Sequence, residues 1–441
     1  MTTASFPNRG QEADTAEVIA RKQRYLFPNV ATLYAEPLVL ERGQGRTVWD
    51  SEGREYLDFY GGILTTSLAH SHPHVVEMMT EQIGKLMHTS TLYLNRPMVD
   101  LAERLARLSP GGDWKSFFTN SGTEANETAI LLARVATGNQ EIIALRHSYH
   151  GRSVVGMSLT GNAAWRHAGS EFSGIRHAHN AYCYRCAFEA TYPACDLRCA
   201  RDLAELIRTE TTGRVAALIA EPIQGVGGFI TPPPGYFEIL VETVRQAGGL
   251  FISDEVQTGF GRTGRLFGWE HWSARPDVMT FAKGLANGAA IGATVADPKV
   301  ADRFTGASIS TFGGNPVSMA AGLATLDVIE GEAIPARVGR LGKRAFEALQ
   351  AMQEKHPGTI GDVRGKGHMI GIELVADGKA PAPHKLARML ELTREAGLLI
   401  GKGGLYGNVI RLTPPMTVTE SELDTGLETL AGCFDRLEGG R

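Results

Sequence analysis

The chain has 441 residues, 43% of them hydrophobic, and a formal net charge of −4 at neutral pH. This composition is typical of a globular protein with one large and one smaller domain, and the lack of a basic excess argues against nucleic acid as a partner. The first thirty residues mix acidic and basic side chains without an apolar core, so we expect a polar N-terminal arm that is neither a secretory signal nor a membrane anchor, and a cytoplasmic protein.

The first elements predicted along the chain form a β-hairpin. Residues 48–50 and 55–57 have the alternation of strands and flank the turn sequence Ser51-Glu52-Gly53-Arg54. From about Lys115 to Val295, apolar runs alternate with helical patterns. The runs lie at residues 116–118, 141–145, 216–220, 250–253, 278–282 and 291–295, and the helical patterns at 124–136, 200–208 and 236–246. Such alternation predicts an α/β fold with a mainly parallel sheet covered by helices on both faces.

The last hundred residues have a different pattern, with two long helices and short strands such as residues 368–375. We expect the two chain ends to meet in a second, smaller α+β domain. The predicted division is residues 1–59 as N-terminal arm and part of the small domain, 60–312 as the large domain with a cysteine-rich insertion at about 180–200, and 313–441 as the C-terminal part of the small domain.

The turn after the first strand of the large domain has the features of a phosphate site. Ser121-Gly122-Thr123-Glu124 follows a strand and opens a long helix, so its backbone amides are directed toward the carboxyl edge of the sheet. Ser121 and Glu124 also fit a capping box, which needs no ligand. The two interpretations are compatible, because the cap orders the turn and Gly122 lets a phosphate approach the amides.

Two further strands end in polar or aromatic side chains. Tyr149 and His150 follow one strand, and the tyrosine ring could stack on a planar cofactor, although an aromatic residue there is more often part of the core or its rim. Glu221 follows the next strand and brings a carboxylate to the same edge. These ends are where open α/β sheets bind ligands.

An acid and a lysine close the next two apolar runs. Asp254 follows residues 250–253, and Lys283 follows residues 278–282. A lysine at this edge can form a Schiff base with a carbonyl cofactor, and a buried carboxylate can pair with a protonated pyridine nitrogen. A structural ion pair between neighbouring strands is the alternative from these two residues alone.

In combination, these motifs resemble the class III aminotransferases, pyridoxal-phosphate enzymes of fold type I, over nearly the whole chain. Similarity to the alanine–glyoxylate and 3-aminoisobutyrate–pyruvate branch is carried by residues 86–91, 221–226 and 361–367. The resemblance implies that Lys283 forms the Schiff base with pyridoxal phosphate and acts as general base, while Asp254 pairs with the ring nitrogen. Gln257 would bind near the phenolic oxygen, and Tyr149 and Val256 would contact the two ring faces.

The resemblance also implies shared active sites. Residues 310–316 resemble the segment with which a neighbouring subunit gives a threonine to the phosphate, so Thr311 implies a homodimer, with a tetramer as the alternative. The predicted cofactor contacts are Ser121, Gly122, Thr123, Tyr149, His150, Glu221, Asp254, Val256, Gln257, Lys283 and Thr311.

Substrate choice depends on two arginines and one valine. Arg411 resembles the family arginine that binds the substrate α-carboxylate as a planar fork. In relatives that act on terminal amines, a glutamate covers this arginine, but the corresponding residue here is Val226. We therefore expect donors such as alanine or a β-amino acid, with glyoxylate or pyruvate as acceptor in a ping-pong cycle. Arg152 could receive a distal carboxylate, which keeps 4-aminobutyrate-type ω-amino acids as an alternative.

Other functions remain compatible with the same residues. Racemases, decarboxylases and phospholyases of this fold share the lysine and the aspartate, so the reaction type rests on the resemblance. A non-catalytic regulator is the alternative from a different class, and the complete set of cofactor contacts argues against it.

The remaining motif is a cluster of cysteines in the predicted insertion. Cys183, Cys186, Cys195 and Cys199 have the spacing C-x2-C-x8-C-x3-C. In a reducing compartment such clustering favours a zinc or iron–sulfur site that braces the insertion, and free thiols are the alternative.

Overall fold

The structure is a computed structural model that describes residues 15–167 and 172–439. The first fourteen residues of the predicted N-terminal arm therefore lie outside the described residues; the remainder includes a helix at Thr15–Tyr25. None of the helices in the described part of the chain is both long and apolar enough to cross a membrane.

The strands, in chain order, are β1 (Leu40–Gln44), β2 (Thr47–Asp50), β3 (Glu55–Asp58), β4 (Lys115–Thr119), β5 (Ile142–Leu145), β6 (Ile175–Ala178), β7 (Ala217–Ala220), β8 (Leu250–Asp254), β9 (Val278–Phe281), β10 (Gly292–Ala296), β11 (Ile360–Lys366), β12 (Met369–Leu374), β13 (Leu398–Leu399), β14 (Gly401–Gly403) and β15 (Val409–Leu412).

The α-helices are α1 (Thr15–Tyr25), α2 (Gly61–Leu64), α3 (Pro73–Lys85), α4 (Arg96–Leu108), α5 (Gly122–Thr137), α6 (Val154–Leu159), α7 (Arg198–Glu210), α8 (Tyr236–Gln246), α9 (Pro298–Ala301), α10 (Pro316–Gly331), α11 (Ile334–Lys355), α12 (Pro383–Glu395) and α13 (Glu420–Glu438). Short 3₁₀ helices lie at Ala163–Trp165, Cys183–Arg185, Gly268–His271 and Lys283–Ala286.

A seven-stranded sheet in the order β4-β10-β9-β8-β7-β5-β6 forms the centre of the large domain. Strands β5 to β9 pair in parallel, whereas β10 is antiparallel to both of its neighbours. The mainly parallel sheet predicted from the sequence is confirmed, and β6 is a strand that the pattern did not predict. Every residue of β5, β7 and β9 is buried, because helices cover both sheet faces and leave no solvated side.

The two chain ends meet in a second unit, as predicted. The hairpin of β2 and β3 is confirmed, and β13 adds to it in parallel, with Leu398 opposite Leu57. A separate sheet has the order β11-β12-β15-β14. Helices α11, α12 and α13 pack against these strands, and their core includes Leu349, Leu390 and Phe434. The boundaries 1–59, 60–312 and 313–441 stay a prediction.

Helix α5 shows how local signals fix the position of the site. Ser121 caps its first turn, and Gly138 ends it in the left-handed conformation with φ of 71°, which glycine adopts without steric cost. The inward face of α5 is buried against the sheet through residues such as Ala129 and Ala133. The helix N-terminus is thereby held next to the carboxyl end of β4.

Two glycines of α11 provide a paired test of packing in the small domain. A Cβ on Gly342 would lie 2.6 Å from the backbone of Gly367, whereas a Cβ on Gly339 would meet its nearest atom at 3.8 Å. We expect Gly342→Ala to lower the free energy of unfolding by about 1–3 kcal/mol through overpacking. Gly339→Ala should raise it by about 0.5–1 kcal/mol, because alanine favours helices. Urea unfolding of both variants measures the difference, and equal effects would contradict the packing described.

Candidate active site

Five strands of the central sheet bring polar side chains to one cavity at their carboxyl ends. The cavity has a volume of about 130 Å³ and is lined by Gly122, Thr123, Asn126, Tyr149, His150, Gly151, Glu221, Asp254, Val256, Gln257, Ala282 and Lys283. Most of the predicted cofactor contacts are therefore brought together. Asn126, Gly151 and Ala282 are lining residues that the sequence analysis missed, and Ser121 and Thr311 are absent from the lining.

Asp254, the last residue of β8, is a buried carboxylate held by three donors. Its Oδ2 accepts hydrogen bonds from His150 Nδ1 at 2.7 Å and Asn126 Nδ2 at 2.8 Å, and its Oδ1 accepts from the Val256 amide at 3.1 Å. Thr280 Oγ1 donates to Asn126 Oδ1 at 2.7 Å, which orients the amide toward the carboxylate. A carboxylate offers about four acceptor sites, so Asp254 can accept one more donor, such as a protonated ring nitrogen.

Lys283 follows β9 in a left-handed backbone conformation with φ of 43°. The pKa of its amine is lowered to about 8, chiefly by burial and also by the positive charge of Arg411, while the charges of Asp254 and Glu221 partly offset the shift. A lower pKa leaves more neutral amine near physiological pH, and the neutral amine is the form that attacks a carbonyl carbon. Lys283 thus has the chemistry required of a Schiff-base lysine.

The first turn of α5 forms an anion cradle. Ser121 Oγ accepts from the Glu124 amide at 3.3 Å, so the Ser121 half of the predicted capping box is present. The Glu124 carboxylate accepts from the Asn120 amide at 2.6 Å instead of from the Ser121 amide, so the reciprocal half of the box is replaced. In the described part of the chain, the amides of Gly122 and Thr123 have no hydrogen-bond partner. A Cβ on Gly122 would lie 3.0 Å from Val256 and narrow the cavity. Free amides at a helix N-terminus suit a phosphate group.

Glu221 and Tyr149, which also line the cavity, are joined by a hydrogen bond. Glu221 accepts hydrogen bonds from the amides of Tyr149 at 3.0 Å and Gly225 at 2.7 Å. Burial raises the pKa of Glu221, and the interaction with His150 offsets part of this increase. The ring of Tyr149 meets Trp165 edge-on, with centroids 5.5 Å apart. Tyr149 lines the cavity, and its stacking on the cofactor ring stays a prediction.

Arg411, on β15 of the small domain, is a buried cation next to this cavity. It is 3% exposed, and its Nη2 donates to Gln257 Oε1 at 2.9 Å. Its guanidinium packs 4.9 Å from the ring centroid of Phe229 and 5.5 Å from that of Tyr60. Within residues 15–167 and 172–439, no carboxylate forms an ion pair with it, and its Nε has no hydrogen-bond partner. Such a group attracts an anionic ligand, because an unpaired buried charge is costly.

Two other predicted residues lie outside the cavity. Arg152 is exposed, and its amide donates to Thr123 Oγ1 at 3.4 Å. Thr311 is exposed and lies between the exposed side chains of Ile309 and Phe312. Val226, the residue on which the expected donor preference depends, is half-buried, and its carbonyl oxygen accepts from the Gly404 amide at 2.9 Å.

The predicted zinc or iron–sulfur site is not supported. Cys183, Cys186, Cys195 and Cys199 line one small cavity, but the described residues contain no group of three or more His, Cys, Asp or Glu side chains that could hold a metal ion. All four are free thiols. Burial raises the pKa of Cys199 to about 11 and also raises that of Cys183. The sequence spacing brought the cysteines together without giving them ligand geometry.

Comparison with known proteins agrees with this geometry. The profile of the family described as "Aminotransferase class-III" matches residues 30–434. The chain is 43% identical over 427 residues to "Alanine--glyoxylate aminotransferase 2 homolog 2, mitochondrial" of Arabidopsis thaliana, covering 96% of this chain and 88% of that protein. It is 38% identical to an acetylornithine aminotransferase of Methanothermobacter thermautotrophicus, with 95% and 98% covered.

A solved structure gives the same result for the fold and the cofactor. An amine transaminase from an uncultivated Pseudomonas species in its PLP-bound form is 31% identical and superposes with a TM-score of 0.87, covering 93% of this chain and 98% of that chain. The lysine, the held aspartate and the free amides described above fit that cofactor. The chain therefore belongs to the class III aminotransferases, enzymes of fold type I that use pyridoxal phosphate.

Proposed function

We propose that the enzyme moves the amino group of a small amino acid, such as alanine or a β-amino acid, to pyruvate or glyoxylate in a ping-pong cycle. The observation that carries the proposal is the buried guanidinium of Arg411, which lacks a carboxylate partner in the described residues and lies beside Gln257. With Val226 in place of a glutamate, the carboxylate that pairs with Arg411 is the substrate's own. A donor with its carboxylate near its amine satisfies this geometry.

Each residue of the cavity has a distinct role in the proposal. When bound, pyridoxal phosphate supplies an aldehyde that takes up the amino group and a ring that withdraws electrons. Lys283 would anchor the aldehyde, and its amine would move the α-proton of the donor. Asp254, fixed by Asn126 and His150, keeps the ring nitrogen protonated through its negative charge. The amides of Gly122 and Thr123 hold the phosphate.

The relatives support different substrates. The Arabidopsis relative is named for alanine and glyoxylate, whereas the archaeal relative is named for acetylornithine. Arg152 supports the ω-amino acid alternative, because its exposed guanidinium could receive a distal carboxylate. Val226 argues against it. Racemase or lyase chemistry would not accumulate a stable pyridoxamine form after one equivalent of donor.

We also propose a homodimer with shared active sites. Thr311 is exposed and outside the cavity of its own chain, and its sequence neighbours Ile309 and Phe312 are exposed apolar side chains. A surface of this kind is typical of a protein–protein contact. A tetramer is the alternative assembly.

The location of the protein in the cytoplasm stays a prediction.

The pKa of Lys283 predicts how the apoprotein takes up its cofactor. Because the lowered pKa of about 8 makes the neutral amine available at lower pH, the rate of covalent capture of pyridoxal phosphate should rise with pH and reach half its maximum near pH 8 instead of near 10.5. Stopped-flow absorbance in the visible range measures this rate. Lys283→Ala should show no such phase, and a midpoint near 10 in the unaltered protein would contradict the lowered pKa.

Donor preference tests the substrate assignment. We expect alanine, β-alanine or 3-aminoisobutyrate to give a kcat/KM at least about tenfold above those of ornithine and 4-aminobutyrate, because an unmatched buried charge costs more than 1.4 kcal/mol. Val226→Glu should pair with Arg411 and shift the preference toward the terminal amines. Val226→Gln is the control, because glutamine has the shape of glutamate without its charge. If ornithine is the best donor of the unaltered enzyme, the proposal is wrong.

Mixed dimers test whether active sites are shared. Thr311→Ala should weaken cofactor binding, and Lys283→Ala should abolish activity. In a dimer that combines one chain of each variant, a shared site built from Lys283 of one chain and Thr311 of the other is intact. Two purification tags isolate this dimer, and its cofactor dissociation constant, measured through activity, should equal that of the unaltered enzyme. A constant equal to that of Thr311→Ala would place both residues in a single-chain site.

A further inference from the structure

The 224–228 loop, which contains Val226, lies between the cofactor cavity and the small domain. The Gly225 amide donates to Glu221, and a Cβ on Gly225 would lie 2.3 Å from Gln257 Oε1. The carbonyl of Val226 accepts from the Gly404 amide, which follows β14. Because β14 pairs with the strand that bears Arg411, this loop contacts both sides of the Gln257–Arg411 pair.

The cysteine segment, residues 180–199, holds the first residue of this loop. Asn180 Nδ2 donates to Gln224 Oε1 at 2.8 Å, and Gln224 Nε2 donates to the Arg146 carbonyl at 2.8 Å. The side-chain amide of Gln224 is therefore used at both its oxygen and its nitrogen. Its position is fixed by two elements outside the loop.

The other end of the loop is held by a charged network that the same segment completes. Arg364 Nε donates to the Gly228 carbonyl at 2.9 Å, and its Nη1 donates to Glu373 Oε2 at 2.6 Å and to Asp362 Oδ2 at 2.7 Å. Tyr182 and Arg185 of the cysteine segment both donate to Glu373. The segment thus contacts the loop through Glu373 and Arg364.

Glu373 is the centre of this network and is fully buried. Burial raises the pKa of its carboxyl group, but Arg364 and the hydrogen bonds from Tyr182 and Arg185 exceed that effect, so its pKa is lowered. The ring of Tyr182 also packs 4.9 Å from the guanidinium carbon of Arg364. A buried ion pair fixes geometry well, because breaking it leaves an uncompensated charge.

We propose that the cysteine segment positions the 224–228 loop, and through it the Gln257–Arg411 pair, so that Tyr182 and Arg185 are positioning residues for the substrate carboxylate. This rests on the proposed function, in which Arg411 receives that carboxylate. The segment thereby acts on substrate binding through hydrogen bonds and not through a metal. Neither residue lines the cofactor cavity, so we expect their effect to fall mainly on the carboxylate half of the site.

Two variants of the full-length holoenzyme test the proposal. Tyr182→Phe removes one hydroxyl, and Arg185→Lys keeps the charge but loses the planar fork. We expect each to raise the KM for alanine, and the inhibition constant of propionate, by about tenfold, since hydrogen bonds to charged groups are of this strength. Turnover at saturating alanine and the visible absorbance of the bound cofactor should stay within about twofold of the unaltered enzyme. Tyr184→Phe is the matched control in the same segment and should change none of these values.

Each other outcome has a defined meaning. If KM and the propionate constant are unchanged, or if only the melting temperature falls, the segment is merely structural and the inference is overturned. Equal losses in turnover and cofactor absorbance would also overturn it, because the damage would then extend beyond the carboxylate half. Arg411→Lys is measured in parallel. If that variant leaves both constants unchanged, the proposed role of Arg411 fails, and this failure is distinct from that of the positioning role.

Discussion

The parallel pairing of β8 and β9 is the constraint on which the site depends. In this register Asp254 lies opposite Thr280, so the aspartate at the end of one strand and Lys283 just beyond the end of the next project toward the same cavity. Burial alone would disfavour the charged forms of both groups. The carboxylate is stabilised by donors from α5 and from the turn after β5, whereas the lysine has a lowered pKa. One backbone arrangement therefore yields an anion and a nucleophilic amine side by side.

Hydrogen bonds to the backbone fix the segment that follows β15, the strand that bears Arg411. Beyond β15, the Thr413 amide donates to the Phe59 carbonyl at 2.8 Å, and the Met416 amide donates to the Ser67 carbonyl at 2.8 Å. The buried Arg262 donates to the Pro414 carbonyl at 2.6 Å. These bonds join the C-terminal segment to both the N-terminal segment and the turn after β8. The strand that bears Arg411 is thus tied to distant parts of the chain.

The sequence predicted the site well where chemistry follows strand ends. Asp254, Lys283, Glu221 and Tyr149 could be placed because an apolar run predicts where its strand ends. Asn126 could not, because it lies within α5 and only the tertiary fold directs its amide to Asp254. The cysteines were misjudged for a related reason: their spacing predicts proximity, which the structure confirms, but ligand geometry depends on side-chain directions that spacing does not contain.

The unpaired guanidinium of Arg411 connects stability with substrate choice. Burying a charge without a counter-ion costs several kcal/mol even after local relaxation, and here Gln257 supplies only a neutral acceptor. In the proposed function, a substrate carboxylate would supply the missing charge and a planar, bidentate match, so it would gain more free energy than it would from an already paired arginine. A glutamate at position 226 would provide that charge within the protein and remove the gain for α-carboxylates. In the same proposal, the valine found at position 226 leaves this gain in free energy to the substrate.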